Sequence, residues 1–129
     1  MKFFYRIAPI VLLFSTIFFV SCKDDDGTCV APDASENIIG SWSLHTGGEV
    51  EFEKGGTLLD PNTNLIGAGV NNVVYDQKSY EVIGDSLALH ASPPDFSDTV
   101  THKYGLAKNL CDTIWISQGP FAIVMTRIE

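Results

Sequence analysis

Short apolar runs separated by turn-forming residues fill the chain from residue 38 to residue 129. Some of these runs alternate strictly. In residues 49–53, Val50 and Phe52 occupy one face and three glutamates the other, which is the pattern of a half-buried strand. Residues 100–107 alternate in the same way. Since no stretch of this region keeps a helical period, the pattern predicts a domain of short β-strands.

Turn signals divide this region into its predicted strands. Gly84 and Asp85 accept positive φ and lie between two apolar runs, so they predict a tight hairpin. Residues 67–72 are too rich in glycine and asparagine for a strand interior. We predict about eight strands, at residues 38–45, 49–53, 57–60, 79–83, 86–90, 100–107, 113–117 and 121–128, with a brief one at 73–75. Their spacing indicates an all-β, antiparallel up-and-down meander that forms a small barrel or a flattened sandwich.

The N-terminus has a different pattern. Residues 1–6 carry two positive charges, and residues 7–20 are apolar except for Ser15 and Thr16. A helix of this apolar length spans about 21 Å, whereas a transmembrane helix needs about 20 residues. We therefore predict a cleaved signal peptide at residues 1–21 rather than a permanent transmembrane helix.

The apolar run ends in Phe19-Val20-Ser21-Cys22, a small residue followed by a cysteine. This pattern is typical of the site at which lipoprotein precursors are cut, although Phe19 stands where an aliphatic residue is usual. We predict that Cys22 becomes a lipidated N-terminus, carrying palmitate or a similar chain, that anchors the protein in a membrane. The alternative is an ordinary signal peptide followed by an unrelated cysteine.

Charge and composition describe the segment after Cys22. The net charge of the chain is −8, and removing Lys2 and Arg6 leaves 6 basic against 16 acidic side chains, which argues against a nucleic-acid partner. Residues 24–26 are three adjacent aspartates, and residues 22–37 are poor in apolar residues. Such a segment cannot repay the entropy of folding, so we predict an acidic flexible tether at 22–37 and one domain at 38–129.

Two cysteines remain if Cys22 carries lipid. Cys29 and Cys111 then form an even pair in a compartment that permits disulfides. Each lies beside turn residues rather than inside an apolar run. A Cys29–Cys111 disulfide and two free thiols are both compatible with the sequence.

Several motifs of the chain resemble known families. The lipidated cysteine followed by Lys23 and three aspartates resembles the export signal of surface lipoproteins in some Gram-negative bacteria, which implies an outer-membrane, surface-exposed location in the cell envelope. Residues 38–129 resemble the small lipocalin-like domains of bacterial lipoproteins. The motifs that carry this second resemblance are Ile39-Gly40-Ser41-Trp42, Phe52 before a Gly-Gly-Thr turn, residues 80–89 and Asp112-Thr113-Ile114-Trp115-Ile116. The resemblance implies a barrel in which the Gly-x-Trp motif plugs one end of the sheet. It carries over no catalytic residue.

Candidate chemistry in the domain is sparse. His45, His90 and His102 lack the short spacings that preset a metal site, so no metal or other cofactor is expected. Asp60-x-Asn62-x-Asn64 echoes the start of a calcium loop but lacks its central glycine and closing glutamate, so we predict a plain turn there. No nucleophile motif is present, and we do not expect an enzyme.

The aromatic residues are the strongest candidates for a binding site. Tyr75, Tyr80, Tyr104 and Trp115 would stack on an apolar or sugar ligand if they line a barrel. A domain with few aliphatic residues also needs such rings to fill its own core, and Trp42 is expected to serve in this way.

Two functions follow from this pattern. The first is a membrane-anchored binding module that holds a small apolar or glycan-derived ligand at the open end of the barrel. The second is an accessory or inhibitor-type module with a filled core that docks on another envelope protein. A cavity lined by the aromatic rings would favour the first function, and a solid core with an exposed strand edge or apolar patch would favour the second.

Overall fold

The computed structural model describes residues 29–67 and 73–129. The predicted signal peptide, the predicted lipidation site Cys22 and the aspartates at 24–26 lie outside these residues, as do residues 68–72. The described chain is all-β, as predicted, and has one short helix. Its elements are α1 (Ala34–Asn37), β1 (Gly40–Leu44), β2 (Glu49–Phe52), β3 (Leu58–Leu59), β4 (Gln77–Ile83), β5 (Ser86–Ser92), β6 (Val100–Asn109), β7 (Thr113–Gln118) and β8 (Phe121–Arg127).

The eight strands form one antiparallel sheet that curves into a nearly closed barrel. Strands that follow one another in sequence lie side by side, except β3 and β4, and β8 pairs with β1. Among the described residues, backbone pairing bridges the gap between β3 and β4, which we call the seam, at one end only. There the amide of Tyr80 donates to the carbonyl of Gly56 at 2.8 Å, and Thr57 pairs with Ser79. The barrel is therefore held closed by a ladder everywhere except along the rest of this seam.

The antiparallel order gives the barrel two distinct ends. The α1 end carries the helix, the start of β1, the β6–β7 turn and the end of β8. The loop end carries the β1–β2 connection, the long β3–β4 connection, the β5–β6 loop and the β7–β8 turn. Loops longer than a hairpin turn are thus concentrated at one end, where binding residues are commonly found.

The α1 end is closed by packing that begins before residue 38. Cys29 forms a disulfide with Cys111 in the β6–β7 turn, with 6.1 Å between their Cα atoms. Asn37 is buried, and its side-chain amide donates to Asn109 Oδ1 at 2.7 Å and to the carbonyl of Leu110 at 2.8 Å. Part of the segment that its composition assigns to the tether is therefore docked on the barrel. The contacts that dock it are supplied by residues more than 70 positions away, which composition cannot reveal.

The Gly-x-Trp motif lies at the same end. Trp42 is fully buried, and its indole N–H donates to the carbonyl of Ile38 at 2.7 Å. Gly40 has a φ of +125°, and a Cβ atom there would lie 2.9 Å from Arg127 Nη1. Both the backbone conformation and the close approach of the guanidinium require glycine.

Side chains of the barrel itself fill its interior. Alternate residues of the strands point inward, and two residues of the β3–β4 connection fold into the loop end beside them. The largest fully buried side chains are Trp42, Phe52, Ile38, Ile66, Leu87, Leu89, Ile114, Ile116 and Met125. The core is thus solid rather than a hollow chamber.

The strand predictions hold for the regular part of the sheet. Residues Glu49–Phe52 bury Val50 and Phe52 and expose the glutamates, as the alternation predicts. The hairpin is confirmed as well, since Ile83 pairs with Ser86 across Gly84, whose φ is +59°.

The brief strand predicted at residues 73–75 is wrong. Val73 and Val74 are exposed, and β4 begins only at Gln77. Tyr75 is buried, and its hydroxyl donates to Asp98 Oδ2 in the β5–β6 loop at 2.8 Å. The segment therefore crosses the loop end of the barrel instead of pairing along its side.

Candidate functional site

A pocket of about 470 Å³ opens beside the seam near the loop end. Most of its wall is apolar and comes from β3, the connection after it and the segment before β4. The apolar wall residues are Leu58, Leu59, Pro61, Val74 and Tyr75. Small-molecule sites are typically concave, mostly apolar and about 300 to 1,000 Å³ in volume, so this seam pocket is of a suitable size and lining.

One wall of the seam pocket is a loop held by Asp60. Its carboxylate is fully buried and accepts three backbone N–H groups, from Asn64 at 2.7 Å, Leu65 at 2.9 Å and Ile66 at 3.2 Å. This is the turn that the sequence predicts at Asp60-x-Asn62-x-Asn64. Its carboxylate organises the backbone, and Thr63 at a φ of +55° completes the bend. The loop seats Leu65 and Ile66 in the loop end of the barrel core.

Lys78 lies opposite this loop. It shares the inward side of β4 with Tyr80 and Val82, yet its side chain is only 7% exposed. The ammonium donates to the backbone carbonyl of Asp60 and lies 3.8 Å from Asp60 Oδ2. A buried Lys–Asp pair thus borders a pocket whose remaining wall is largely apolar, and Asp76 adds a carboxylate at the exposed side.

Three of the four predicted ligand-binding aromatic residues lie on the inward or loop side of the barrel. Tyr75 lines the seam pocket, and its hydrogen bond to Asp98, with burial, raises the pKa of its phenol. Tyr80 packs edge-on against Phe52 with ring centres 4.9 Å apart and donates to the carbonyl of Glu53 at 2.8 Å. Desolvation raises the pKa of the Tyr80 phenol.

Tyr104 lies deeper in the core. Its hydroxyl donates to the carbonyl of Leu65 at 2.7 Å and so ties β6 to the loop held by Asp60. Burial, and then the nearby charge of Asp60, raise the pKa of the Tyr104 phenol. This ring therefore fixes the wall of the seam pocket without lining it.

Trp115 lies on the opposite face of the sheet. On β7 the neighbouring Ile114 and Ile116 point inward and are fully buried, so Trp115 points outward. The ammonium of Lys108 lies 4.2 Å from the centre of the Trp115 ring, as in a cation–π contact. Of the four predicted aromatic residues, only Tyr75 lines the seam pocket.

The three histidines do not converge. His45 Nδ1 accepts the amide of Val124 at 2.9 Å, and His90 contacts Thr101 and Glu81 on the outer face. Within residues 29–67 and 73–129, no three His, Cys, Asp or Glu side chains form a group that would hold a metal ion. In the same part of the chain, none of the helical structure is long and apolar enough to cross a membrane.

Lys78 and Asp60 are the site residues that the sequence interpretation missed. Lys78 has the same parity as Tyr80 and Val82, so the alternation that predicts β4 also places a lysine on its inward face. An inward lysine needs a buried acceptor or carboxylate. The position of Lys78 on the inward face could therefore be found from the sequence. Its partner Asp60 could not, because no local pattern shows that the loop after β3 lies opposite β4.

No protein-family model, curated protein or solved structure matches this chain. The resemblance to lipocalin-like lipoprotein domains therefore rests on the motifs named above.

Proposed function

We propose that the protein is a lipid-anchored protein of the outer membrane, exposed at the cell surface, whose lipocalin-like barrel binds a small apolar ligand in the seam pocket. The observation that carries the proposal is a pocket of about 470 Å³ with five apolar wall residues. These walls favour an apolar ligand over a glycan, because they offer a single aromatic ring, Tyr75, on which a sugar would stack.

The disulfide supports an orientation for this binding module. Cys29 is bonded at the α1 end, and seven positions separate it from the predicted lipidation site Cys22. An extended chain of that length spans about 25 Å at most. In the proposed anchored state the α1 end lies near the membrane and the loop end, with the seam pocket, faces the medium. The ligand would then arrive from outside the membrane.

The experiment is recovery of the ligand from protein extracted from its native membrane, followed by mass spectrometry of the small molecules that co-purify. Val73 and Val74 are both exposed, but only Val74 lines the pocket. Val74→Asp should therefore lose the ligand, and the matched variant Val73→Asp should keep it. The proposal would be contradicted if both variants retained equal amounts of the ligand, or if no apolar molecule co-purified with the wild-type protein.

A second candidate function is the protein-interaction module. It is favoured by the solid core and by two exposed phenylalanines at the loop end, Phe96 in the β5–β6 loop and Phe121 at the start of β8. Phe96 also has a φ of +54°, which is uncommon for a bulky residue. Cross-linking in intact cells should give one defined envelope protein partner that the double substitution Phe96→Ser and Phe121→Ser abolishes. If the same bands persist in that variant, this second function is wrong.

A further inference from the structure

We propose that the seam pocket selects apolar ligands that carry one neutral hydrogen-bond acceptor, a carbonyl or hydroxyl oxygen, and that Lys78 donates to that oxygen. This inference deepens the proposed function and rests on it, because it concerns the same pocket. It assigns to Lys78 a role in specificity.

The ammonium of Lys78 makes one hydrogen bond within the described part of the chain. An ammonium has three N–H donors. Among the described residues its only hydrogen-bond acceptor is the carbonyl of Asp60, because Asp60 Oδ2 at 3.8 Å is beyond hydrogen-bond distance. The side chain is 93% buried, since 7% of it is exposed. Buried donors without acceptors cost free energy, so a ligand that supplies an acceptor gains a charge-assisted hydrogen bond.

The wall of the seam pocket carries charges of both signs. The charged side chains that line it are Lys78, Asp60 and Asp76, which together carry −1. An anionic ligand would meet this net negative charge. A cationic ligand would meet the ammonium of Lys78, and the buried oxygens of Asp60 already accept three backbone N–H groups. A neutral acceptor avoids both penalties and uses the donors that Lys78 offers.

Lys78 shares the pocket lining with apolar side chains. Lys78 and the buried Leu58 both line the pocket, and the exposed Leu59 and Val74 line it as well. The apolar part of a ligand would cover these side chains while its oxygen reaches the ammonium. Such a ligand is amphiphilic but uncharged, as is an ester, a ketone, an alcohol or an amide with an aliphatic chain.

The test compares four eight-carbon probes that differ in the polar group: 2-octanone, octanoate, octylammonium and 1-octene. The full-length protein is held in lipid nanodiscs, and binding is measured by saturation-transfer NMR with empty nanodiscs subtracted. We expect 2-octanone to bind at least about ten-fold more tightly than 1-octene, because a hydrogen bond to a charged group raises the affinity by about ten-fold or more. Octanoate and octylammonium should both bind more weakly than 2-octanone.

Two lysine variants locate the effect. Lys78→Met should reduce the affinity for 2-octanone to that for 1-octene. Lys103→Met, on the outer face of β6, should leave all four affinities unchanged. If Lys78→Met does not fold, the probe series with the unchanged protein still decides.

The outcomes separate this inference from the proposed function. Equal affinities for 2-octanone and 1-octene would overturn the role of Lys78 while leaving an apolar pocket. Tightest binding of octanoate or of octylammonium would overturn the preference for a neutral group. No binding of any of the four probes would contradict the proposed function itself, and the inference with it.

Discussion

The guanidinium of Arg127 stacks on the indole of Trp42, with its carbon 4.4 Å from the ring centre. The same group donates to the carbonyl of Ile39 at 3.1 Å and to the carbonyl and side chain of Asn37 at 2.6 and 2.9 Å. The last strand of the barrel thus holds both the buried tryptophan of β1 and the end of α1. Planar, fixed donors suit arginine to this combination of stacking and several hydrogen bonds.

Trp42 is therefore expected to stabilise the fold rather than to contact a ligand. Trp42→Ala should lower the free energy of unfolding by about 3 to 5 kcal/mol, as for other large-to-small changes in cores. The matched control is Trp115→Ala. Because Trp115 lies half-buried on the outer face, this substitution should lower the free energy of unfolding clearly less. Urea unfolding of the purified full-length protein measures both. A Trp42→Ala protein as stable as the control would contradict the assignment.

Tyr104 should make the protein unfold more readily in alkali. Its folded pKa is raised above the ordinary value of 10.0 by burial and by Asp60. The neutral phenol is thus favoured in the folded state, so its contribution is complete below pH about 10 and is lost as pH rises through the higher folded pKa.

Urea midpoints measured from pH 8 to 11.5 check this expectation. Tyr104→Phe should flatten the fall in stability above pH 10, although it leaves the carbonyl of Leu65 without its hydrogen bond and lowers the midpoint at every pH. Tyr75→Phe should flatten the same fall, because the hydrogen bond to Asp98 raises the pKa of the Tyr75 phenol as well. An unchanged alkaline slope in the Tyr104→Phe protein would show that other groups cause the loss.

The sequence predicts those parts of the fold that short-range patterns determine. Val50 and Phe52 alternate with glutamates, and Gly84 accepts positive φ, so β2 and the β4–β5 hairpin follow from neighbouring residues. The docking of Asn37 on Asn109 joins residues 72 positions apart. Composition assigns Asn37 to a tether because the segment has no apolar period of its own. Tertiary contacts nevertheless order it, and composition does not show them.

The candidate site is predictable only in part for the same reason. Tyr75 is a candidate because it is aromatic, and it does line the seam pocket. Its direction depends on a hydrogen bond to Asp98, which lies 23 positions away. β3 has only two residues and pairs with β2, and no local signal shows that Tyr75 contacts the β5–β6 loop before β4 begins at Gln77.

Cys22 is expected to carry the lipid that anchors the protein. Each buried methylene contributes about 0.8 kcal/mol, so the several acyl chains of a lipoprotein give stable attachment. Cys22→Ser should move the protein from the membrane fraction to the soluble fraction in a detergent-phase partition assay. Cys29→Ser is the matched cysteine substitution and should leave the partition unchanged. If the Cys22→Ser protein still partitioned wholly with membranes, the predicted cleavage and lipidation site would be wrong.

The Cys29–Cys111 disulfide should supply a large share of the stability of the domain. It joins residues 82 positions apart, and in the chain-entropy model closing a loop of that length contributes roughly 4.5 kcal/mol, mainly by restricting the unfolded chain. Denatured-state structure reduces this figure. If half of it is realised, reduction should lower the midpoint of thermal unfolding by about 9 to 18 °C.

The measurement compares oxidised and reduced protein, together with the double substitution Cys29→Ser and Cys111→Ser. Non-reducing peptide mapping should show one fragment that contains both cysteines. The double variant should unfold at the lower temperature whether or not reductant is present, whereas Cys22→Ser should respond to reductant as the unchanged protein does. The disulfide also holds the segment that leads to α1, so its loss should speed hydrogen exchange of the Asn37 backbone amide, which donates to the carbonyl of Asp33 at 2.8 Å, while the backbone amides of the β4–β5 hairpin keep their protection. Equal exchange rates at Asn37 in the oxidised and reduced proteins would mean that the hydrogen bonds of Asn37 and Arg127 hold the α1 end without the covalent link.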